Sequence, residues 1–337
     1  MTRKLLALVA AGLLATTAVV PAAHAQTLKI ATLSPDGSGW MTKMRAGATE
    51  IKTRTEGRVE LKFYTGGSMG TDRAVLNKIK IGQLHGGALT GGSLADAARD
   101  LQVYSLPLKF RSFDEVDYVR SRMDATLSKQ LEEGGFVNFG FAEGGFAYAM
   151  SKNVPVSSVA ALRKQRVWIP DNDHQSEVGM KVFQVSPVPL SLADVLPSLQ
   201  TGIIDTVASS PIGAVALQWH TQVKYLTDLP LSYFIGTMAI DKKTFAKLAP
   251  ADQAVVREVM TRVFRDIDAQ NRKDNVSAYN ALMKQGIKPV KPNAVEIAEW
   301  EKNGEMATAQ MIKDGIVSAA AAQQLNGLIA AARAGKK

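Results

Sequence analysis

LKIATLSPDGSGWMTKMRAGATEIKTRTEGRVELKFYTGGSMGTDRAVLNKIKIG, residues 28–82, switches twice between two structural periods. Leu28 to Leu33 carries the period-2 alternation of a strand. Ser34-Pro35-Asp36-Gly37-Ser38-Gly39 is turn chemistry. From Trp40 to Thr55, Met41, Met44, Ala48 and Ile51 recur at spacings of three and four, which marks a helix, and Gly57 supplies its stop. Val59 to Tyr64 reads as a second strand. The turn Gly66-Gly67-Ser68-Met69-Gly70 then leads to a helix over Asp72 to Ile81, closed by Gly82. Strand–helix–strand–helix order predicts an α/β fold with a mainly parallel sheet.

Downstream the habit repeats. Phe136 to Phe141 and Phe146 to Ser151 are strand-like, and Val167-Trp168-Ile169 is a short strand before Pro170. Ala193 to Thr201 is a helix ended by Gly202, followed by a strand from Ile203 to Ala208. The C-terminal third changes character. Ala251 to about Met283 carries Val255, Val256, Val259, Met260, Val263, Phe264 and Ile267 on one helical face. A last Ala-rich helix runs to about Arg333, its segment Val317 to Ala332 suiting either a packed terminal helix or a dimer contact. Two α/β lobes topped by C-terminal helices is the expected organisation.

The N-terminus reads as a secretory leader. Arg3 and Lys4 precede an uncharged apolar run, Leu5 to Val20, and Ala23-His24-Ala25 places small residues at the cleavage positions before Gln26. The run is shorter than the roughly 20 residues that span a bilayer, and Pro21 breaks it. Losing Arg3 and Lys4 takes the formal net charge from +9 to +7. That charge is spread thinly, with no basic run interleaved with aromatics, so nucleic acid is not an expected partner. It suits solubility and attraction of anionic solutes. The sequence contains no cysteine, which excludes disulfides, thiolate metal sites and a lipid-attachment cysteine.

Catalytic constellations are missing. His85, His174 and His220 fall at no metal-binding spacing, and neither HExxH nor GxSxG occurs. No metal or cofactor is expected. The 66–70 turn lacks the Lys-Ser/Thr of a phosphate loop. Asp171 and Asp173 lie in ordinary turn composition.

Four stretches carry a family resemblance. Gly57 to Tyr64 with Ser68-Met69-Gly70 is similar to "GRVEVKVFPNSQLG", and Leu106 to Asp114 to "LPFLFRSFDE". Val156 to Pro170 is similar to "PISSLADLKGLKIRVP", and Leu199 to Asp205 to "LQTGVVDG". In order and spacing, from about Thr27 to Lys313, the chain resembles the DctP-type solute receptors of TRAP transporters. The resemblance implies a two-lobed periplasmic solute-binding protein fold, with a long helix spanning both lobes. It would close by a hinge on a small organic solute and deliver it to the membrane permease subunits of a TRAP transporter. On this reading residues 1–25 are the signal peptide. Lobe I takes 26–148 plus about 234–270, and lobe II takes 149–233 plus about 271–337. A receptor for a sensor kinase, or a periplasmic lyase or hydrolase using Asp171, Asp173 or Glu143, is the alternative.

The departures from the family bear on the ligand. The family's carboxylate-binding Arg in "LKIRVP" falls at Trp168, and a second, in "GFRQ", at Ala147. Its Asn in "DGQENP" has no clean counterpart, and Ser209 and Ser210 stand in that region. Arg166, two residues before Trp168 on the expected strand, is the candidate for a displaced anionic contact. Trp168, with Trp40, Tyr64 and Phe146, would form an apolar wall, and Thr90 completes the candidate ligand set. Such a wall suits an aromatic or partly apolar solute, or a cation stacked on rings.

Overall fold

The computed structural model describes residues 25–171 and 173–335, so the expected leader lies outside the described residues except for Ala25. Three strands open the chain: β1 (Gln26–Thr32), β2 (Val59–Tyr64) and β3 (Gly86–Thr90), with α1 (Gly39–Arg54) and α2 (Asp72–Lys80) between them. β1 pairs with both neighbours in parallel. The expected stops operate through backbone conformation. Gly57 and Gly82 take φ of +80° and +75°, where a side chain would strain the chain.

After α3 (Phe113–Glu133) and β4 (Phe136–Asn138) comes the ten-residue β5 (Ala142–Ser151). Five short elements follow: α4 (Val159–Leu162), β6 (Trp168–Pro170), α5 (His174–Val182), β7 (Val188–Leu190) and α6 (Val195–Thr201). Then come β8 (Thr206–Ser209), α7 (Pro211–Ala216), β9 (Tyr225–Thr227) and a second ten-residue strand, β10 (Ser232–Asp241). The chain ends through α8 (Lys242–Phe245), α9 (Pro250–Lys284), β11 (Lys288–Val290), α10 (Ala294–Lys313) and α11 (Ala319–Arg333).

Among the described residues the main sheet runs β11-β9-β5-β10-β3-β1-β2, so the order is discontinuous in sequence. It is mixed rather than mainly parallel, because β10 returns antiparallel to both β3 and β5. β5 changes partners midway. Ala142 to Ala147 pair with β10, whereas Tyr148 to Ser151 pair with β8. The two strand-like pieces expected at 136–141 and 146–151 are therefore β4 and the second half of β5. The register shifts between Phe234 and Ile235, which leaves Gly144 unpaired as a bulge, and Gly145 sits at φ +96°.

Two cores sandwich the first sheet. Leu28, Ile30, Met41, Met44 and Met238 pack with Val256, Val259, Met260 and Phe264 of α9 on one face. Each such side chain contributes about 1.5–3 kcal/mol by leaving water. Gly47 lets α1 and α9 approach, since a Cβ there would lie 2.8 Å from Val263. Ala31, Val75, Leu89, Tyr104, Val119 and Tyr233 fill the other face. At its C-terminal end α9 reaches a third core, where Leu282 joins Met150, Val207 and Leu226. The 35-residue α9 thus spans both halves of the molecule, as the resemblance implied. α10 packs on α5, and α11 on α3.

On the edge facing α9, opposite β10, residues 142–145 of β5 meet no second strand among the described residues, and side chains take its place. Glu143 N donates to Asp268 Oδ1 (2.7 Å), while Asn271 and Asn275 donate to the carbonyls of Glu143 (2.8 Å) and Gly144 (3.2 Å). The Glu143 carboxylate, buried on the opposite face from Phe234, receives Arg272 Nε (2.7 Å) and the Tyr233 hydroxyl (3.2 Å) through Oε2. Its Oε1 is buried without a hydrogen-bond partner among the described residues. Burial pushes this carboxyl above its ordinary range, and Arg272 pulls it back.

Arg272→Met removes that pull and leaves a buried carboxylate unpaired. A loss of about 3–5 kcal/mol in urea unfolding is expected at neutral pH. The sign follows from burial: the folded state then holds the Glu143 proton to higher pH than the unfolded chain does. The variant's deficit should be smallest below the unfolded carboxyl pKa and grow as pH rises through the folded one.

Candidate functional site

Parallel strands end where their helices begin, so the carboxyl ends of β1, β2 and β3 gather helix N-termini at one edge of the sheet. Ser38 caps α1 and Thr71 caps α2, each accepting from the third backbone N–H beyond it. The amides of Gly39 and Trp40, ahead of the first intrahelical bond of α1, lie at that edge. The 66–70 turn serves this edge structurally. Gly66 N and Gly67 N donate to the carbonyls of Ser34 and Thr32, so these amides do not form a phosphate loop.

In the second half, Val167 bridges Thr206 in parallel, which aligns β6 with β8. Their carboxyl ends are Pro170 and Ser209. Ser210 caps α7, and Ile212 N donates to Asn275 Oδ1 (3.3 Å). α9, α7 and β5 are thereby joined where the two halves meet. Asp173 caps α5 through Ser176 N (3.1 Å) and Oγ (2.6 Å), and Glu143 is committed to Arg272, so neither has the setting of a catalytic acid.

The eight candidate residues separate into three groups. Trp40, Tyr64 and Thr90 sit at the strand-end edge of the first sheet. Thr90 is exposed, and its N and Oγ1 both donate to Asp72 Oδ2 (3.2 and 3.0 Å). Burial pushes the Asp72 carboxyl up, while hydrogen bonds from Thr90 and Ser93 oppose the shift. With its hydrogen spent on Asp72, the Thr90 hydroxyl faces solvent as an acceptor. Ser209 and Ser210 sit at the end of β8, both buried, with Ser209 Oγ donating to Ser210 O (3.2 Å).

Phe146, Arg166 and Trp168 are placed elsewhere. Phe146 packs edge-on against Tyr233 (5.5 Å) and beside Phe113 (4.9 Å), inside a core. Arg166 precedes β6, and its Nε reaches Asp205 Oδ2 (3.0 Å) at the amino ends of β6 and β8, the opposite end from Ser209. Arg166 is exposed, whereas Val167, Trp168 and Ile169 are all buried. Trp168 is 7% exposed, meets Trp219 edge-to-face (5.1 Å), and donates its indole N–H to Leu190 O (3.0 Å). A tryptophan there satisfies a core, where the resemblance implied a cleft wall.

One residue at the meeting point had escaped the sequence reading. Phe234 is 39% exposed on β10, on the face opposite Tyr233, and its Cβ lies 3.1 Å from where a Gly144 Cβ would be. Two shallow depressions, of about 430 and 510 Å3, lie instead beside His220 and Ile287 and along Arg257 to Arg265. Neither is lined by residues at the carboxyl ends of β1, β2, β3, β6 or β8. Among the described residues, no group of three His, Asp or Glu side chains could hold a metal.

The pattern of the bacterial extracellular solute-binding proteins of family 7, DctP, matches residues 30–314. The chain belongs to that family. It is a solute receptor of the TRAP-transporter type, periplasmic, and not an enzyme. It is 24% identical over 255 residues to the C4-dicarboxylate-binding periplasmic protein DctP of Rhodobacter capsulatus, covering 74% of this chain and 75% of that one. Its fold is similar to a TRAP periplasmic solute-binding protein from a Sulfitobacter species with bound β-D-galacturonate (TM-score 0.79, 18% identity, 92% of this chain and 100% of that one). It is also similar to the sugar acid binding protein DctPAm of Advenella mimigardefordensis in complex with galactonate (TM-score 0.83, 15% identity, 92% and 99%). No helix of the described residues is long and apolar enough to cross a membrane.

Because this DctP-family receptor uses Trp168 in a core, Trp168→Ala should cost about 3–5 kcal/mol in urea unfolding. Trp168→Phe should cost less, losing mainly the bond to Leu190. An unchanged midpoint with lost ligand affinity would return Trp168 to the cleft.

Proposed function

We propose that this receptor binds a small hydroxylated organic acid between its lobes and hands it to the membrane permease subunits of a TRAP transporter. The observation that supports this most is the gathering of the carboxyl ends of β1, β2 and β3 at one sheet edge with the N-termini of α1 and α2, in a chain that the solute-binding family pattern matches over residues 30–314. Helix N-termini favour negative charge, so a carboxylate can be held by backbone amides where the family's arginines are replaced by Trp168 and Ala147. Thr90, presenting acceptor lone pairs, suits a solute that brings hydroxyl hydrogens. The galacturonate and galactonate of the structural neighbours have that chemistry. The aromatic or partly apolar solute, or stacked cation, suggested by Trp168 gains no support, since that ring is in a core and the acids bound by the structural neighbours are sugar acids.

Trp40, Tyr64, Thr90, Ser209 and Ser210 are the contacts retained in this reading. The lobes divide near 148/149, 233/234 and 270/271, close to where β5 changes partners, β10 begins and Asn271 meets β5. α11 moves with lobe I, because it packs on α3. The formal net charge, +9 for the full chain and +7 without Arg3 and Lys4 of the leader, favours the approach of anionic solutes. The leader expected over residues 1–25 supplies export. The sensor-kinase and lyase readings gain no support.

Calorimetry and thermal shift on protein refolded free of ligand test this. A sugar acid should bind at unit stoichiometry and stabilise by about 2.7 kcal/mol at 100 times its Kd. Its methyl ester should bind weakly or not at all, and the acid should remain chemically unchanged. Binding confined to uncharged compounds would overturn the acid assignment.

A further inference from the structure

The cleft face of β10 carries two aromatic rings in succession. Tyr233 and Ile235 point into the core of the opposite face, so Phe234 and Gly236 share the other. Gly236 has no side chain, and the Trp40 ring occupies that space: a Cβ there would lie 3.2 Å from Trp40 Cη2 and 3.4 Å from Cζ3. Phe234 stands two residues away, with bulged Gly144 beneath its Cβ. Gly236 is paired with Thr90 across β3, and Ser232 with Ala147 across β5. Directly opposed residues share a face. Ala147, the place of a family arginine, therefore lies on the same face as Phe234. One rim is Trp40 at the N-terminus of α1. The other is the α7 start, held to α9 by Ile212 and Asn275.

We infer that Trp40 and Phe234 form a flat aromatic wall that selects a ring-closed sugar acid over open-chain acids of the same carbon number. This rests on the acid-receptor reading above. The physical reason is shape. A pyranose uronate presents a rigid face of C–H groups to the negative faces of aromatic rings, with its hydroxyls directed to its rim. An open-chain aldonate has no such fixed face and must lose rotational freedom to make one. Exposed aromatic carbon at the meeting of two lobes is costly to leave in water, and a ligand's apolar face covers it. Thr90 lies where a rim hydroxyl can donate to it. The occupant is thus a hydroxylated ring carrying one carboxylate.

The experiment titrates ligand-free full receptor with D-glucuronate and D-galacturonate, and with D-gluconate, D-galactonate and succinate. Calorimetry and tryptophan fluorescence read the binding. A uronate should bind at least roughly 10-fold tighter than its open-chain counterpart, about 1.4 kcal/mol. Phe234→Ala should lose roughly 10-fold in uronate affinity with its melting temperature nearly unchanged, and Phe234→Tyr should keep it. Uronate binding that Phe234→Ala leaves intact overturns the wall and spares the acid-receptor reading. Preference for the open-chain acids or succinate overturns the ring selection and likewise spares that reading. Binding of no acid in the set overturns both.

Discussion

The fold turns on an unpaired edge. β5 passes from one group of strands to another, and over residues 142–145 it has β10 on one side and no strand on the other. Bare edge amides and carbonyls there must find partners or remain exposed to other chains. α9 supplies them one by one, with Asp268, Asn271 and Asn275 spaced three and four apart so that one helical face meets the strand. Side-chain bonds of this kind allow small changes of angle that a continuous ladder would resist. The crossing is therefore sealed by side chains rather than by a continuous ladder. Beneath it, the Glu143–Arg272 contact ties β5 to α9 and, through Asp117, to α3.

That arrangement explains what could be read in the residues and what could not. β1, α1, β2 and α2 were legible because each has a polar face, which makes its period visible, and because Gly57 and Gly82 mark real left-handed stops. α9 was legible for the same reason, with Val256, Val259, Met260, Val263, Phe264 and Ile267 in one stripe. β10 was not. Its residues Tyr233 to Ile240 are buried on nearly every side except at Phe234, and a run that is apolar on both faces has no period to detect. With the strand unread, its one exposed ring could not be seen as part of the site. The first half of β5 was missed for a different reason, since the Gly144-Gly145 pair looks like a turn locally and is a bulge within the sheet.

The misplaced candidates share one cause. Position in a motif indicates where a side chain begins and says little of where it ends. Arg166 and Trp168 lie two residues apart, yet one is drawn to Asp205 at the amino end of the strand and the other is folded onto Trp219. Each finds a local partner that neither composition nor spacing displays. Thr90 stands at the end of β3, where Asp72 fixes its hydroxyl from the start of α2.

Replacing a guanidinium by backbone dipoles changes what discriminates among ligands. An arginine fork fixes a carboxylate in its plane by two bonds, and the remainder of the solute can vary behind it. Helix N-termini attract the same charge without dictating its orientation. Orientation must then come from the rest of the molecule, from surfaces that fit one shape closely and from hydroxyls whose hydrogen has already been assigned. In this cleft the face carrying Ala147 also carries Phe234, and the edge carrying Trp40 also carries Thr90. On the reading proposed above, the loss of charge and the aromatic wall are two sides of one change in how the solute is held.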